Sequence, residues 1–394
     1  MNKRLYFASL YFAEGAPIGF IWWALPAILA ERGFALADVS QLTALAALPW
    51  SIKFFAAPVV DLLSRKIGLK APLLVAQTIM AATALAFFPA IEAAELGFLT
   101  FILILHSSFA AIQDVCIDAL AVKSVPEEEM GRVNGAMQAG MLVGRSIFGG
   151  ASLMLIHQLG LRATCFALSG AILFSAVALF SRKEPKETHE FNVAEYLNGL
   201  KVLLQQKQTW LLVATAFVAS LSFEGLAGIA SAALVKVGMP AHIRGPLYAI
   251  GVPLSMMAGA LFGGKLADSF DKGRLLRYAT KICALTAVIT AGLMDLKVDH
   301  SILASSMILF YCTIGLLTAS LYAYLMTHTN KSFPAFAFSL FMAVTNLSES
   351  SSTLVVGKLV GPWGYAASAA IPALLSLSVV ILIISKSEDP KLPI

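Results

Sequence analysis

Twelve apolar stretches of about twenty residues follow one another along this chain, parted by short polar turns. No other feature constrains the fold as much. A backbone N–H or C=O in lipid has no water to bond, so each stretch must satisfy its own backbone as a helix. The first six spans are expected at about 5–30, 39–60, 70–91, 97–122, 131–157 and 162–181, the second six at about 209–235, 244–268, 275–294, 301–326, 334–359 and 364–385. The fold class is therefore an all-α polytopic membrane protein with twelve transmembrane helices in two six-helix halves. Composition agrees. The chain is 58% hydrophobic and 13% charged, against about 25% charged in soluble domains. Met1-Asn2-Lys3-Arg4 and the apolar run after it resemble a signal peptide. The run is too long, holds Glu14 and Pro17 and lacks a small-residue cleavage site, so it is expected to stay as span one.

The net charge of +5 does not point to nucleic acid, because the basic residues lie between apolar runs. Assigning alternate loops to the two sides puts about 18 Lys and Arg on the side of both termini and about 6 on the other. Both termini are thus expected in the cytoplasm, with the chain in the inner membrane. Cys116, Cys165, Cys283 and Cys312 all lie in apolar runs and form no CxxC pair, so they read as small core residues.

The longest polar stretch, 182–208, separates a half at 1–181 from a half at 209–394. Within it Val193, Tyr196, Leu197, Leu200, Leu203 and Leu204 recur at helical spacing, beside Lys201 and Lys207. That pattern suits a helix lying on the inner membrane surface; a solvated linker with some helix is the plainer alternative. The halves echo each other. Ser9-Leu10-Tyr11-Phe12-Ala13-Glu14-Gly15 in span one is matched by Ser220-Leu221-Ser222-Phe223-Glu224-Gly225 in span seven. Pro49 of span two leads to Asp61, Arg65 and Gly68, as Pro253 of span eight leads to Asp268, Asp271 and Arg274. Two such units around a midplane site are a common transporter plan.

Charges inside apolar runs are costly and mark function or pairing. In span four Asp114 and Asp118 sit at i and i+4, on one helix face, which must look into the protein. Glu14 lies about nine residues into its span, roughly 14 Å at the helical rise and so near mid-bilayer. It could carry a proton, or it could be the partner of Lys53 or Arg145. Glu224 in span seven and Glu349 in span eleven, with Asn346 near it, have similar standing. His106 reads as a helix-packing residue before a proton relay. There is no Walker loop, no GxGxxG after a strand and no HExxH. No cofactor or metal is therefore called for, and an ion gradient or the solute's own gradient must supply energy. An intramembrane enzyme would need a clustered nucleophile or metal site, and none is written here. A channel fits poorly with two repeated halves.

The stretch from Gly263 and Gly264 through Asp268 to Arg274 resembles the loop signature of the major facilitator superfamily, and Asp61 with Arg65 is a looser copy. The resemblance implies that these loops latch one conformation, where the plain reading is a basic cytoplasmic loop. Gln113-Asp114 with Asp118 resembles the QD-x-x-x-D element of the AmpG-like branch, which holds bacterial muropeptide permeases and acetyl-coenzyme A transporters. Gly15-Ala16-Pro17, Lys53-Phe54 followed by Pro58 and Asp61, and Gly140 with Gly144 fit the same branch over about residues 8 to 165. Pyochelin- and rhizobactin-type siderophore permeases look like the same region. The muropeptide permeases carry extra helices near the C-terminus, and an Arg in span five where this chain has Leu142; its nearest cation there is Arg145. The resemblance implies a proton-coupled importer, monomeric in the lipid, of a bulky polar solute. Anhydromuropeptides come first, ferric siderophores second and acyl-coenzyme A third. Lys53, Arg145, Gln113, Asn134, Gln138, Trp22 and Trp23 are the expected solute contacts, and Glu14, Asp114, Asp118, Glu224 and Glu349 the candidates for proton or solute.

Overall fold

The computed structural model describes residues 2–56, 60, 67–181, 192–328 and 334–387. They form helices joined by short turns, with no strand among them. Span one is Lys3–Glu31 and span two begins as Leu36–Ser51. Spans three and four are Lys70–Glu92 and Leu96–Ser124. Spans seven to ten are Lys207–Lys236, Ala241–Ser269, Lys272–Asp295 and His300–His328. Nine helices among the described residues are long and apolar enough to cross a membrane. Two of these, 45 and 40 residues long, contain sharp bends at Gly160 (φ 80°) and Gly364 (φ 77°) and hold two spans each. Only glycine takes that backbone readily, so the two bends divide spans five from six and eleven from twelve. Span two completes the twelve. It departs from the expected unbroken helix. After Pro49 the helix stops at Ser51, Ile52 leaves helical geometry, and a 3₁₀ turn Lys53–Phe55 follows. The helix expected between the halves forms as Val193–Gln205; residues 182–191 of that stretch lie outside the described residues.

Two compact units result. The first is Met1–Leu29, Leu45–Val193 and Arg244–Ala249; the second is Ala30–Ala44, Ala194–Ile243 and Ile250–Ile394. This differs from a plain cut at 182–208, because each unit includes a short piece of the other half. In the first unit, span one packs along span five with backbone on backbone. A Cβ at Gly15 would overlap the Met141 carbonyl, one at Gly140 the Ala8 carbonyl, and one at Gly144 would lie 2.5 Å from the Phe12 oxygen. Lipid tails are as apolar as leucine, so close packing of small residues is what holds such helices together. Beside the seam, Tyr6, Phe7, Leu10 and Tyr11 of span one share one buried cluster with Cys116, Ile117 and Leu120 of span four and Met137 of span five.

The second unit repeats the plan with polar joinery. Gly225 and Gly228 of span seven face Val356, Ser352 and Thr353 of span eleven. Ser348 Oγ donates to the Phe217 carbonyl at 2.8 Å and Thr353 Oγ1 to the Glu224 carbonyl at 3.3 Å. On its other side, Ser350 Oγ donates to the Ala44 carbonyl at 2.5 Å. Gly225 follows Glu224 as Gly15 follows Glu14, and each glycine is the contact point of its seam. That is the echo between spans one and seven seen in three dimensions.

The turn into span twelve has its own cap. Asp295, at the end of span nine, accepts from the backbone N–H groups of Tyr365 and Ala366 at 2.8 Å each. The carboxylate satisfies two orphan donors at the positive end of that helix. Asp295→Ala should cost about 1 kcal/mol, read as a lower melting temperature in detergent, whereas Asp295→Asn should recover part of it. An unchanged melting temperature in the alanine variant would show the cap to be idle.

Three helices carry π-turns, at Phe20–Ala24, Ser146–Ala151 and Leu247–Gly251. Each has a local cause. Pro26 and Pro253 stand two residues beyond the first and third and have no N–H to continue the α ladder. In the second, Ser152 Oγ donates to the Ile147 carbonyl five residues back, at 3.2 Å.

Candidate functional site

Break, turn and helix face converge on span four. The 3₁₀ turn after span two places Lys53 Nζ 2.7 Å from Asp114 Oδ2, an ion pair with little exposure on either side chain. One turn along span four, Asp118 accepts from the Tyr11 hydroxyl at 2.5 Å. Tyr11 lies three residues before Glu14, so span one presents a hydroxyl and a carboxyl to the two aspartates of span four. Glu14 is 3% exposed, and its Oε2 has no hydrogen-bond partner among the described residues. Lys53, Arg145, Asp114 and Asp118 are all within Coulombic reach of it. Arg145 is the last residue before the π-turn of span five. Gln113 is fully buried beside Asp114, and neither of its amide atoms has a hydrogen-bond partner among the described residues.

The structure thus gathers Glu14, Lys53, Asp114, Asp118 and Arg145 into one cluster within the first unit. It pairs Lys53 with Asp114, whereas the sequence left Glu14 open as a proton carrier or as a partner of Lys53 or Arg145. Trp22 stands edge-on to Trp50 at 5.4 Å, and Trp23 is buried against Tyr248 at 5.5 Å. Trp23, expected among the solute contacts, thus lies buried against another ring. Gln138 is exposed, and the side chain of Asn134 lies outside the described residues. His106 is buried against Phe87, its Nδ1 2.8 Å from Thr83 Oγ1, and serves packing between spans three and four. In the second unit Glu224 and Glu349 are both partly buried, on spans seven and eleven. Of the latch residues, Asp61 and Arg65 lie outside the described residues. Gly264 has open space around it, while Gly263 makes the close contact, with Leu316 and Ala319. Asp268 is exposed; Asp271 caps the next helix by accepting from the Arg274 N–H at 2.8 Å. Among the described residues no cluster of His, Cys, Asp or Glu suits a metal ion. Tyr11 was missed in the sequence, although its i, i+3 spacing to Glu14 was there to be read.

A sequence profile described as the Major Facilitator Superfamily matches residues 7–353. The chain belongs to the Major Facilitator Superfamily. The fold agrees with solved structures of the superfamily. A D-xylose–proton symporter superposes with a TM-score of 0.79 at 10% identity, over 96% of this chain and 96% of that one. The nucleoside transporter NupG gives 0.75 at 14%, over 98% and 100%. The xylose transporter XylE from E. coli, in a partially occluded inward-open conformation, gives 0.75 at 11%, over 99% and 98%. At these identities the likeness is one of fold. As a superfamily member, the chain is a multi-pass secondary transporter and not an enzyme.

Proposed function

We propose that this transporter imports a bulky, anionic, polar solute on the proton gradient, with anhydromuropeptides as the substrate class. The observation that carries the coupling is the charge count of the cluster. Three carboxylates, Glu14, Asp114 and Asp118, share two cations, Lys53 and Arg145. Fully ionised, the cluster has one negative charge in excess, in a place where an unbalanced charge costs several kcal/mol. One proton makes it neutral. Asp114 has Lys53 and Asp118 has Tyr11, whereas Glu14 Oε2 has no hydrogen-bond partner among the described residues; the proton is therefore assigned to Glu14. Arg145 is the cation offered to an anionic solute. Glu224 and Glu349 would serve the second half, and the loops around Asp61, Arg65, Gly264 and Asp268 would steady one state. The choice of muropeptides rests on the likeness of Gln113-Asp114, Asp118 and Lys53 to the AmpG-like branch. Both termini face the cytoplasm in this reading, and the monomer is the working unit.

Uptake into proteoliposomes tests it. Wild type should accumulate anhydromuropeptides under an inward proton gradient and lose accumulation with an uncoupler. Glu14→Gln should keep exchange of labelled for unlabelled solute but lose at least about tenfold in gradient-driven accumulation, since the proton step alone is removed. Arg145→Ala should lose both. A Glu14→Gln variant with the wild-type gradient response would reject Glu14 as the carrier. Uptake of a ferric siderophore without muropeptide binding would replace the substrate.

A further inference from the structure

The three π-turns do not sit apart. Gly149, in the π-turn of span five, faces the span-one π-turn: a Cβ there would lie 2.6 Å from Trp23 Cε3 and 3.0 Å from the Gly19 carbonyl. Gly150 faces the third: a Cβ there would overlap the Ala249 N and the Tyr248 carbonyl carbon. Trp23 and Tyr248, from the first and third, meet ring to ring at 5.5 Å. Every π-turn among the described residues thus touches the other two. The segment Arg244–Ala249 belongs to the first compact unit through these contacts, and the chain leaves that unit between Ala249 and Ile250, inside the third π-turn.

A π-turn is an α-helix with one residue too many, and π-turns recur at functional sites. Letting the extra residue go rotates all that follows by about 100° and shifts it by about 1.5 Å. Glycines 149 and 150 leave no slack: with backbone against backbone, a rotation in one π-turn displaces the others. Interlocked contacts of this kind hold two arrangements and little between. The first two π-turns also adjoin the charged cluster, since Ser146 follows Arg145 directly and Phe20 lies six residues beyond Glu14.

We propose that the three π-turns form one clasp that opens and closes as a unit, with Gly150 as its contact point and the turn Leu247–Gly251 as its hinge. Closed, it holds Arg244–Ala249 on spans one and five; open, it frees that segment.

Amide hydrogen exchange on the purified transporter in lipid nanodiscs decides this without any solute. Peptides covering 20–24, 146–151 and 247–251 should exchange with one shared opening rate. Gly150→Val should raise that rate at least tenfold in all three and leave the peptide over Lys70–Glu92 unchanged. Should that variant not fold, a second handle exists. A Cβ on Gly245 would lie 3.4 Å from Met154 Cβ, close to the separation in a disulfide. Met154→Cys with Gly245→Cys, once oxidised, should suppress exchange in all three π-turns, and reduction should restore it. Three unrelated exchange rates, or a disulfide that slows only 247–251, would overturn the proposal.

Discussion

Replacing Lys53 with methionine should stop transport and loosen the protein at once. Asp114 would then be left charged and nearly buried, without the cation that lies 2.7 Å away. Breaking a buried pair from one side costs about 3–5 kcal/mol, mostly the cost of the charge left behind. Transport should fall by about a hundredfold or more, the effect of ~3 kcal/mol. Asp114→Asn should do the same from the other side. The double variant Lys53→Met with Asp114→Leu separates structure from function. An apolar pair of similar volume often matches or exceeds the stability of a buried ion pair, so its melting temperature should return to near wild type. Transport should not return: two carboxylates against one cation keep the single excess charge, but the pair's own charges, within reach of Glu14, are gone. A double variant that melts and transports like wild type would reduce the pair to scaffolding.

The second large effect is expected where spans one and five meet. Gly15→Val and Gly140→Val each put side-chain atoms where a main-chain carbonyl of the facing helix now sits. A side chain can turn away from an intruder, but a helix backbone cannot. Overpacking costs about 1–3 kcal/mol in cores whose side chains can shift, and each of these variants should exceed that range and fail to yield monodisperse protein. Gly135 lies on the same helix as Gly140, with nothing within 4 Å of a Cβ there. Gly135→Ala should therefore be neutral or more stable, by up to about 1 kcal/mol from helix propensity. Size-exclusion after a temperature ramp reads all three. If Gly135→Ala and Gly140→Val melt together, the seam is not what holds this unit.

Much of this was legible in the residues. Apolar length fixed the number of spans, because lipid allows no other way to satisfy a backbone. Span four's Asp114 and Asp118 were read as one face because their spacing alone settles it. The partners were not readable. Spacing tells which residues share a face of one helix, and says nothing of how that helix is rotated against the next. Glu14 was therefore set against Lys53 or Arg145, while the 3₁₀ turn after Pro49 carries Lys53 to Asp114. Tyr11 escaped because a tyrosine in an apolar run looks like core, and by burial it is core; only its hydroxyl belongs to the site. The π-turns escaped because one extra residue leaves no trace in hydropathy. Pro26 and Pro253 were visible, but a proline in a membrane helix announces a disturbance without saying which.

The serine and threonine donors of span eleven have a consequence for how this protein can vary. Ser348, Ser350 and Thr353 all donate to main-chain carbonyls, of Phe217, Ala44 and Glu224. Every residue type supplies the same carbonyl. Across relatives, positions 217 and 44 are then free to drift among apolar residues, while the hydroxyls opposite them are held. Inheritance should thus be lopsided across the join, with one strict partner and one permissive one, and a comparison of positions that change together would miss it altogether. A contact made to a backbone carbonyl leaves no covariation behind.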